Sequence, residues 1–227
     1  MDVIASLAAF RMKRYFNKPP LILFDYDGVI ADSYEVYFRE FIRACTNFGF
    51  NKLNSEEAFL RLFDGNLVAQ LIKAGFPLRK LKQLAEELKP QIEAANAQIH
   101  PFPGIVEILA VLSEKHPVLI ITANDSSLVK KFLIGNGLHR IHDVVGSDTE
   151  TSKVKKIRAA RKRFLDHAPF YIGDTRGDMI EAKRAGAFPV GAGWGWHSRE
   201  RLLSANPLHI LEQKEDLIPF FEYVSPD

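Results

Sequence analysis

The sequence predicts an α/β fold, a doubly wound parallel sheet, on three grounds. Short, unbroken apolar runs recur along the chain. Helical patterns alternate with them. Acidic and hydroxyl residues stand where the runs stop. Unbroken apolar runs suit strands covered on both faces, and strand–helix alternation feeds successive strands into one parallel sheet. With 227 residues the chain can bury a core without disulfide or metal staples.

The first run covers residues 21–24 and ends at Asp25. The second covers 118–121 and ends at Thr122. Residues 143–145 form a weaker third. A fourth, 170–172, ends at Gly173-Asp174. Residues 188–190 and 209–211 supply a fifth and a short sixth. Helical stretches are predicted over about 104–115, 126–136, 153–165 and 177–186. The interval 34–99 breaks this alternation. Phe38, Phe41 and Ile42, then Leu60, Phe63, Leu67 and Leu71, then Leu81, Leu84 and Leu88 recur at helical spacing. Pro77 and Pro90 are expected to interrupt that pattern, and Asp64-Gly65-Asn66 to break it as a turn. The predicted organisation is an α/β core from residues 1–33 and 100–227, with a small helical domain inserted at 34–99.

Composition narrows the function. Lys and Arg number 30 against 28 Asp and Glu, a formal charge of +2, without the cationic excess of a dedicated nucleic-acid binder. One cysteine, Cys45, excludes an internal disulfide framework and a cysteine-built zinc site; its place beside Phe41 and Phe48 suits packing. No run reaches the ~18 apolar residues of a membrane span. Near the N-terminus Val3, Ile4, Leu7 and Phe10 precede the basic Arg11, Lys13 and Arg14, the reverse of a secretory signal. A short amphipathic helix is expected there, packed on its own domain or docked on a membrane or partner. The expected location is cytoplasmic, and the expected state a monomer or homodimer.

Ligands of open α/β sheets bind beyond the carboxyl ends of the strands. Those ends carry Asp25-Tyr26-Asp27-Gly28, Thr122-Ala123-Asn124 and Gly173-Asp174-Thr175-Arg176-Gly177-Asp178, and Lys153 opens the helix before the fourth strand. One carboxylate at a strand end could cap a helix. Four together would repel and raise one another's pKa unless a cation offsets them, and Mg²⁺ prefers such oxygen ligands. Lys153 heads a basic run with Lys155, Lys156, Arg158, Arg161, Lys162 and Arg163, which alone reads as a solvated helix face.

The segment from Phe24 to Ser33, FDYDGVIADS, resembles the first motif of the haloacid dehalogenase-like hydrolases. Thr122, Lys153 and the GDTRGD run are similar to their second, third and fourth motifs, in the same chain order. The stretch Gly193-Trp194-Gly195-Trp196-His197-Ser198 and the position of the helical insertion resemble the phosphoglycolate phosphatase-type branch. The resemblance implies a Rossmann-like core with a helical cap, and a Mg²⁺-dependent phosphatase acting on a small phosphorylated metabolite. In it Asp25 is the nucleophile that becomes an aspartyl-phosphate. Asp27 is the acid and base, and its backbone carbonyl joins Asp25 and Asp174 as metal ligands. Asp178 stands behind the metal. Thr122, Ala123 and Lys153 bind the phosphoryl group, with Lys155 and Lys156 as alternatives to Lys153. A phosphomutase using the same intermediate, or a non-catalytic binding protein on this fold, are the other readings. Substrate recognition by the cap calls for a cation, with Arg61 and Lys73 as candidates. Tyr34 and residues 99–103 are the expected hinges of a cap that opens and closes.

Overall fold

The computed structural model describes residues 17–226. The predicted N-terminal helix lies outside them. Six parallel strands form the sheet: β1 (Pro20–Phe24), β4 (Val118–Ile121), β5 (Asp143–Val145), β6 (Ala168–Gly173), β7 (Phe188–Ala192) and β8 (His209–Leu211). Their spatial order is β5-β4-β1-β6-β7-β8. The order runs outward in both directions from β1, so the switch point of the sheet falls at its C-terminal end.

Side chains alternate across a strand, and the register shows what that does here. Ile22, Phe24, Ile120, Phe170 and Ile172 enter one hydrophobic cluster. Leu21, Leu23, Leu119, Ile121 and Tyr171 enter the cluster on the other face. Helices cover the first face: α5 (Ile105–Lys115), α6 (Ser126–Gly135) and α10 (Leu217–Val224). Helices α7 (Lys153–Arg163) and α8 (Arg176–Ala185) cover the second. Every residue of the central runs is therefore buried, which is why they are apolar without a break.

Between β1 and β4 the chain leaves through β2 (Ala31–Asp32), passes through α1 (Tyr34–Asn47), α2 (Glu56–Leu60), α3 (Leu67–Lys73) and α4 (Leu81–Ala95), and returns through β3 (His100–Pro101). These helices share their own cluster. Phe59, fully buried, sits at its centre, with the rings of Phe38, Phe41 and Phe63 at 5.3, 5.5 and 5.2 Å. Cys45 is buried in the same cluster.

One expectation needs correction, and one element was not foreseen. Pro90 does not interrupt a helix but lies inside α4. It is exposed, as is Glu86 four residues before it, so the hydrogen bond that proline forgoes is lost on the solvent side, where water can replace it. The ribbon of β2 and β3 was not expected either. Ala31 pairs with Pro101 and Asp32 with His100 in antiparallel register. Two residues per strand are too few for an alternation pattern to show.

Candidate active site

Strand β1 delivers Asp25 to the middle of the C-terminal edge, where its amide still donates to the Ile172 carbonyl at 2.8 Å. The backbone then reverses. Gly28 adopts φ +71°, and a Cβ there would come within 1.9 Å of Asp174 Oδ2, so the turn and the close approach both require glycine. Strand β6 ends at Gly173, and Thr175 caps α8.

Asp25, Asp174 and Asp178 converge, each offering an oxygen within 4.8 Å of the others, all buried. Lys153 Nζ donates to Asp25 Oδ2 at 2.7 Å and to Asp178 Oδ1 at 2.6 Å. Asp174 Oδ2 accepts from the Trp196 amide at 2.8 Å. Asp178 Oδ2 accepts from the Thr175 amide at 3.1 Å and the Thr175 hydroxyl at 2.6 Å. Asp178 thus closes the capping box of α8 with Thr175 and belongs to the carboxylate cluster as well.

The electrostatics divide the carboxylates. Burial raises Asp174 well above its ordinary value, and the charges of Asp178 and Asp25 add to that. Burial also raises Asp25, with Lys153 opposing. Burial pushes Asp178 up too, but Lys153 and the Thr175 hydrogen bonds outweigh it and leave it below its ordinary value. Lys153 stays charged, because Asp178 and Asp25 outweigh the burial that would neutralise it.

Asp27 stands apart from this cluster. Its Oδ1 accepts from the Ser33 hydroxyl at 2.9 Å and its Oδ2 from Asn124 Nδ2 at 2.8 Å. Burial raises its pKa to about 6. Asn124 Oδ1 in turn accepts from the Tyr37 hydroxyl at 2.7 Å. Sequence reasoning quoted Ser33 and Asn124 only as neighbours of motifs and missed Tyr37. No local pattern could find Tyr37, since its partner lies 87 residues away.

Thr122 is fully buried at the end of β4, and its Oγ1 accepts from the Asn124 amide at 3.0 Å. Ala123 follows, exposed. The three lysines separate cleanly. Lys153 meets the carboxylates. Lys155 is exposed and pairs with Glu150 at 3.3 Å. Lys156 is buried and donates to the Thr122 carbonyl. The basic run is therefore not a uniformly solvated face: positions 153 and 156 turn inward together, as residues three apart on a helix do.

The helical segment is docked over this edge. Arg201 grips the Asp64 carboxylate with two bonds, Nε to Oδ1 at 2.7 Å and Nη2 to Oδ2 at 2.9 Å. Arg176 donates to the Asp64 carbonyl at 2.7 Å. His197, almost fully buried, accepts from the Arg176 amide at Nδ1 and donates from Nε2 to the Leu60 carbonyl, each at 2.9 Å. Its duty is to join the segment to the core. The Trp196 ring enters the aromatic cluster of the segment, 4.9 Å from Phe63, while Trp194 Nε1 donates to the Val29 carbonyl at 3.1 Å. Both tryptophans are loop anchors. Arg61 pairs with Glu57 at 2.7 Å, and Arg61 and Lys73 line a cavity of about 680 Å³ with Lys52, Asp64 and Arg201. None of the clustered carboxylates lines that cavity.

The haloacid dehalogenase-like hydrolase profile matches residues 22–192, from the first strand to the fifth strand of the sheet in chain order. The chain belongs to the haloacid dehalogenase-like hydrolases. Among curated relatives, a phosphoglycolate phosphatase from Synechococcus elongatus is 26% identical over 202 residues, covering 87% of this chain and 94% of the relative. A 5'-nucleotidase from Pseudomonas aeruginosa is 24% identical over 204 residues, covering 84% and 90%. A haloacid dehalogenase-like family hydrolase from Streptococcus pneumoniae shares the fold, with a TM-score of 0.75 at 21% identity over 90% of this chain and 98% of that one. Within this hydrolase no helix of the described residues is long and apolar enough to cross a membrane.

Proposed function

We propose that this haloacid dehalogenase-like phosphatase hydrolyses a small-metabolite phosphomonoester through an aspartyl-phosphate on Asp25. The observation that carries the reading is the Asp25 carboxylate beside Lys153, in a buried cluster with Asp174 and Asp178, with Asp27 two residues on. Of three buried carboxylates two share one ammonium, and Asp174 has no ion-pair partner among the described residues. An all-oxygen, over-charged donor set of this kind fits Mg²⁺. Asp25, Asp174 and the Asp27 carbonyl would hold it, with Asp178 behind them. Bound there, Mg²⁺ supplies positive charge that offsets repulsion between carboxylate and phosphate.

Asp25 attacks phosphorus, and the ester oxygen departs with a proton from Asp27. Asp27 then takes a proton from the water that hydrolyses the aspartyl-phosphate, which returns both residues to their starting states. Lys153 offers its ammonium, and Thr122 its hydroxyl, to the oxygens of the moving phosphoryl group. Residues 34–99 act as a cap, docked through Asp64 and Leu60, that keeps bulk water out. The relatives are named for phosphoglycolate and for 5'-nucleotides, both phosphates on a primary alcohol carbon, and that is the substrate class we assign.

Hydrolysis of p-nitrophenyl phosphate with and without Mg²⁺, followed by a panel of phosphorylated metabolites, tests the reading. Turnover is expected with Mg²⁺ and lost in Asp25→Asn. Full rates in EDTA, or an active Asp25→Asn variant, would overturn it.

A further inference from the structure

Asp27 is held by a chain of hydrogen bonds that begins outside the core. Both of its oxygens are taken: Oδ1 by Ser33 and Oδ2 by the Asn124 amide nitrogen. A carboxamide can turn either end toward a neighbour. Against a carboxylate, which only accepts, it must present its NH₂. The Tyr37 hydroxyl secures that choice. It donates to Asn124 Oδ1 at 2.7 Å, so the amide oxygen faces Tyr37 and the nitrogen faces Asp27. Tyr37 belongs to α1, in the helical segment, whereas Asn124 and Asp27 belong to the core. Its ring is braced by Trp196, centroid to centroid 5.7 Å, the residue whose amide holds Asp174.

The geometry points to Tyr37 and Asn124 as positioning residues that aim Asp27 for proton transfer only while the helical segment is docked. The inference rests on the reading of Asp27 as the acid. Without Tyr37 the Asn124 amide loses the contact that fixes its orientation, and its oxygen can turn toward Asp27, where it accepts the O–H of the protonated acid and draws that proton away from the ester. The proton donor then stands out of line with the ester oxygen, although Asp25, Lys153 and the metal ligands are untouched. Because Tyr37 lies on the helical segment and packs against both hydrophobic clusters, proton delivery is tied to the docking of that segment. Ester cleavage is thereby confined to the arrangement that shuts water out.

The two kinds of ester separate this role from a structural one. An alkyl alcohol leaves badly without a proton, whereas p-nitrophenolate leaves without one. Comparing kcat/KM, which reports the steps through departure of the alcohol, Tyr37→Phe and Asn124→Ala should each lose about tenfold or more on a primary alkyl phosphate, a part of the roughly 10²–10⁴-fold that a general acid contributes. On p-nitrophenyl phosphate each should stay within about twofold of the parent, which also shows that the variants fold. The double variant should be little worse than Asn124→Ala alone, since Tyr37 acts chiefly through Asn124, although its hydroxyl also faces Asp27. Equal losses on both esters, no loss on the alkyl ester, or additive losses in the double variant would overturn the inference. Failure of the underlying reading looks different: the parent enzyme would show no Mg²⁺-dependent turnover, or Asp25→Asn would keep it.

Discussion

Lys153 Nζ reaches Asp25 Oδ2 across 2.7 Å, joining residues that stand 128 positions apart in the chain. The bond places a fixed positive charge against the proposed nucleophile and ties α7 to the end of β1. Its removal should strand Asp25 and Asp178 as buried, unpaired carboxylates. Lys153→Met is expected to destabilise the metal-free protein by about 3–5 kcal/mol, the range for breaking a buried ion pair. Urea unfolding in EDTA measures this. A loss below 1 kcal/mol (roughly the ceiling for exposed pairs) would show that the pair does not support the fold.

The same cluster sets a pH dependence. Asp25 is raised from 3.8 to about 7 by burial, with like charges adding, and Asp174 is raised as well. Between the unfolded and folded values the native state holds the extra protons, so their share of stability falls as pH rises through that window. Asp178, held below 3.8, adds stability that is lost only under more acidic conditions, outside the window. His116, His197 and His209, each lowered by burial, work the other way over the same window, so the share of the carboxylates is read as the difference between the parent and Asp174→Asn in EDTA. Mg²⁺ should raise Tm more at pH 7.5 than at pH 5, and Asp174→Asn should gain on the parent in EDTA as pH rises. An Asp174→Asn variant whose Tm in EDTA fails to gain on the parent as pH rises from 5 to 7.5 would contradict the charge balance described.

Docking of the helical segment depends on a missing side chain. A Cβ on Gly177 would stand 2.7 Å from the Phe63 carbonyl oxygen and 3.0 Å from that of Gly65, both backbone atoms that cannot swing aside. Gly177→Ala should lift the loop at residues 63–65 off α8 while leaving the sheet intact. Faster hydrogen exchange is expected in residues 60–66, with unchanged protection in β1 and β6. Faster exchange spread across the sheet would mean that the glycine serves the core instead.

The Asp64–Arg201 pair should hold the same loop from the side. It is two-pronged and only partly exposed, so Arg201→Ala is expected to weaken docking by about 1 kcal/mol, at the upper end for surface pairs. Higher salt should weaken the parent contact and leave the variant unmoved. Limited proteolysis of the segment, at low and high salt, reads both effects.

Much of this molecule is legible in its sequence. The six strands were legible because both sheet faces are covered, which forces the unbroken runs around Ile22, Ile120 and Tyr171. Asp25, Asp174 and Asp178 were legible because strand ends concentrate polar residues that the core cannot accept. Lys153 could not be told from Lys155 or Lys156 by composition, since only the rotation of α7 turns two of the three inward. Tyr37, Arg201 and His197 were out of reach for a shared reason. Each works by touching a backbone or side chain distant in sequence, and a single chain of letters carries no trace of such a pairing. Pro90 misled because propensity records the hydrogen bond a proline forgoes, not the solvent that can stand in for it.

The small ribbon of β2 and β3 has a meaning beyond geometry. The chain departs at Asp32 and comes back at His100, and those two residues face each other on one rung. A tight turn could close that rung with no helical segment at all, and a different segment could be spliced in without moving a strand of the sheet. The core therefore behaves as a socket, and the helices as an exchangeable fitting. A graft made at this rung would preserve Asp25, Lys153 and Asp174 but discard Tyr37, so every replacement fitting would have to bring its own hydroxyl for Asn124.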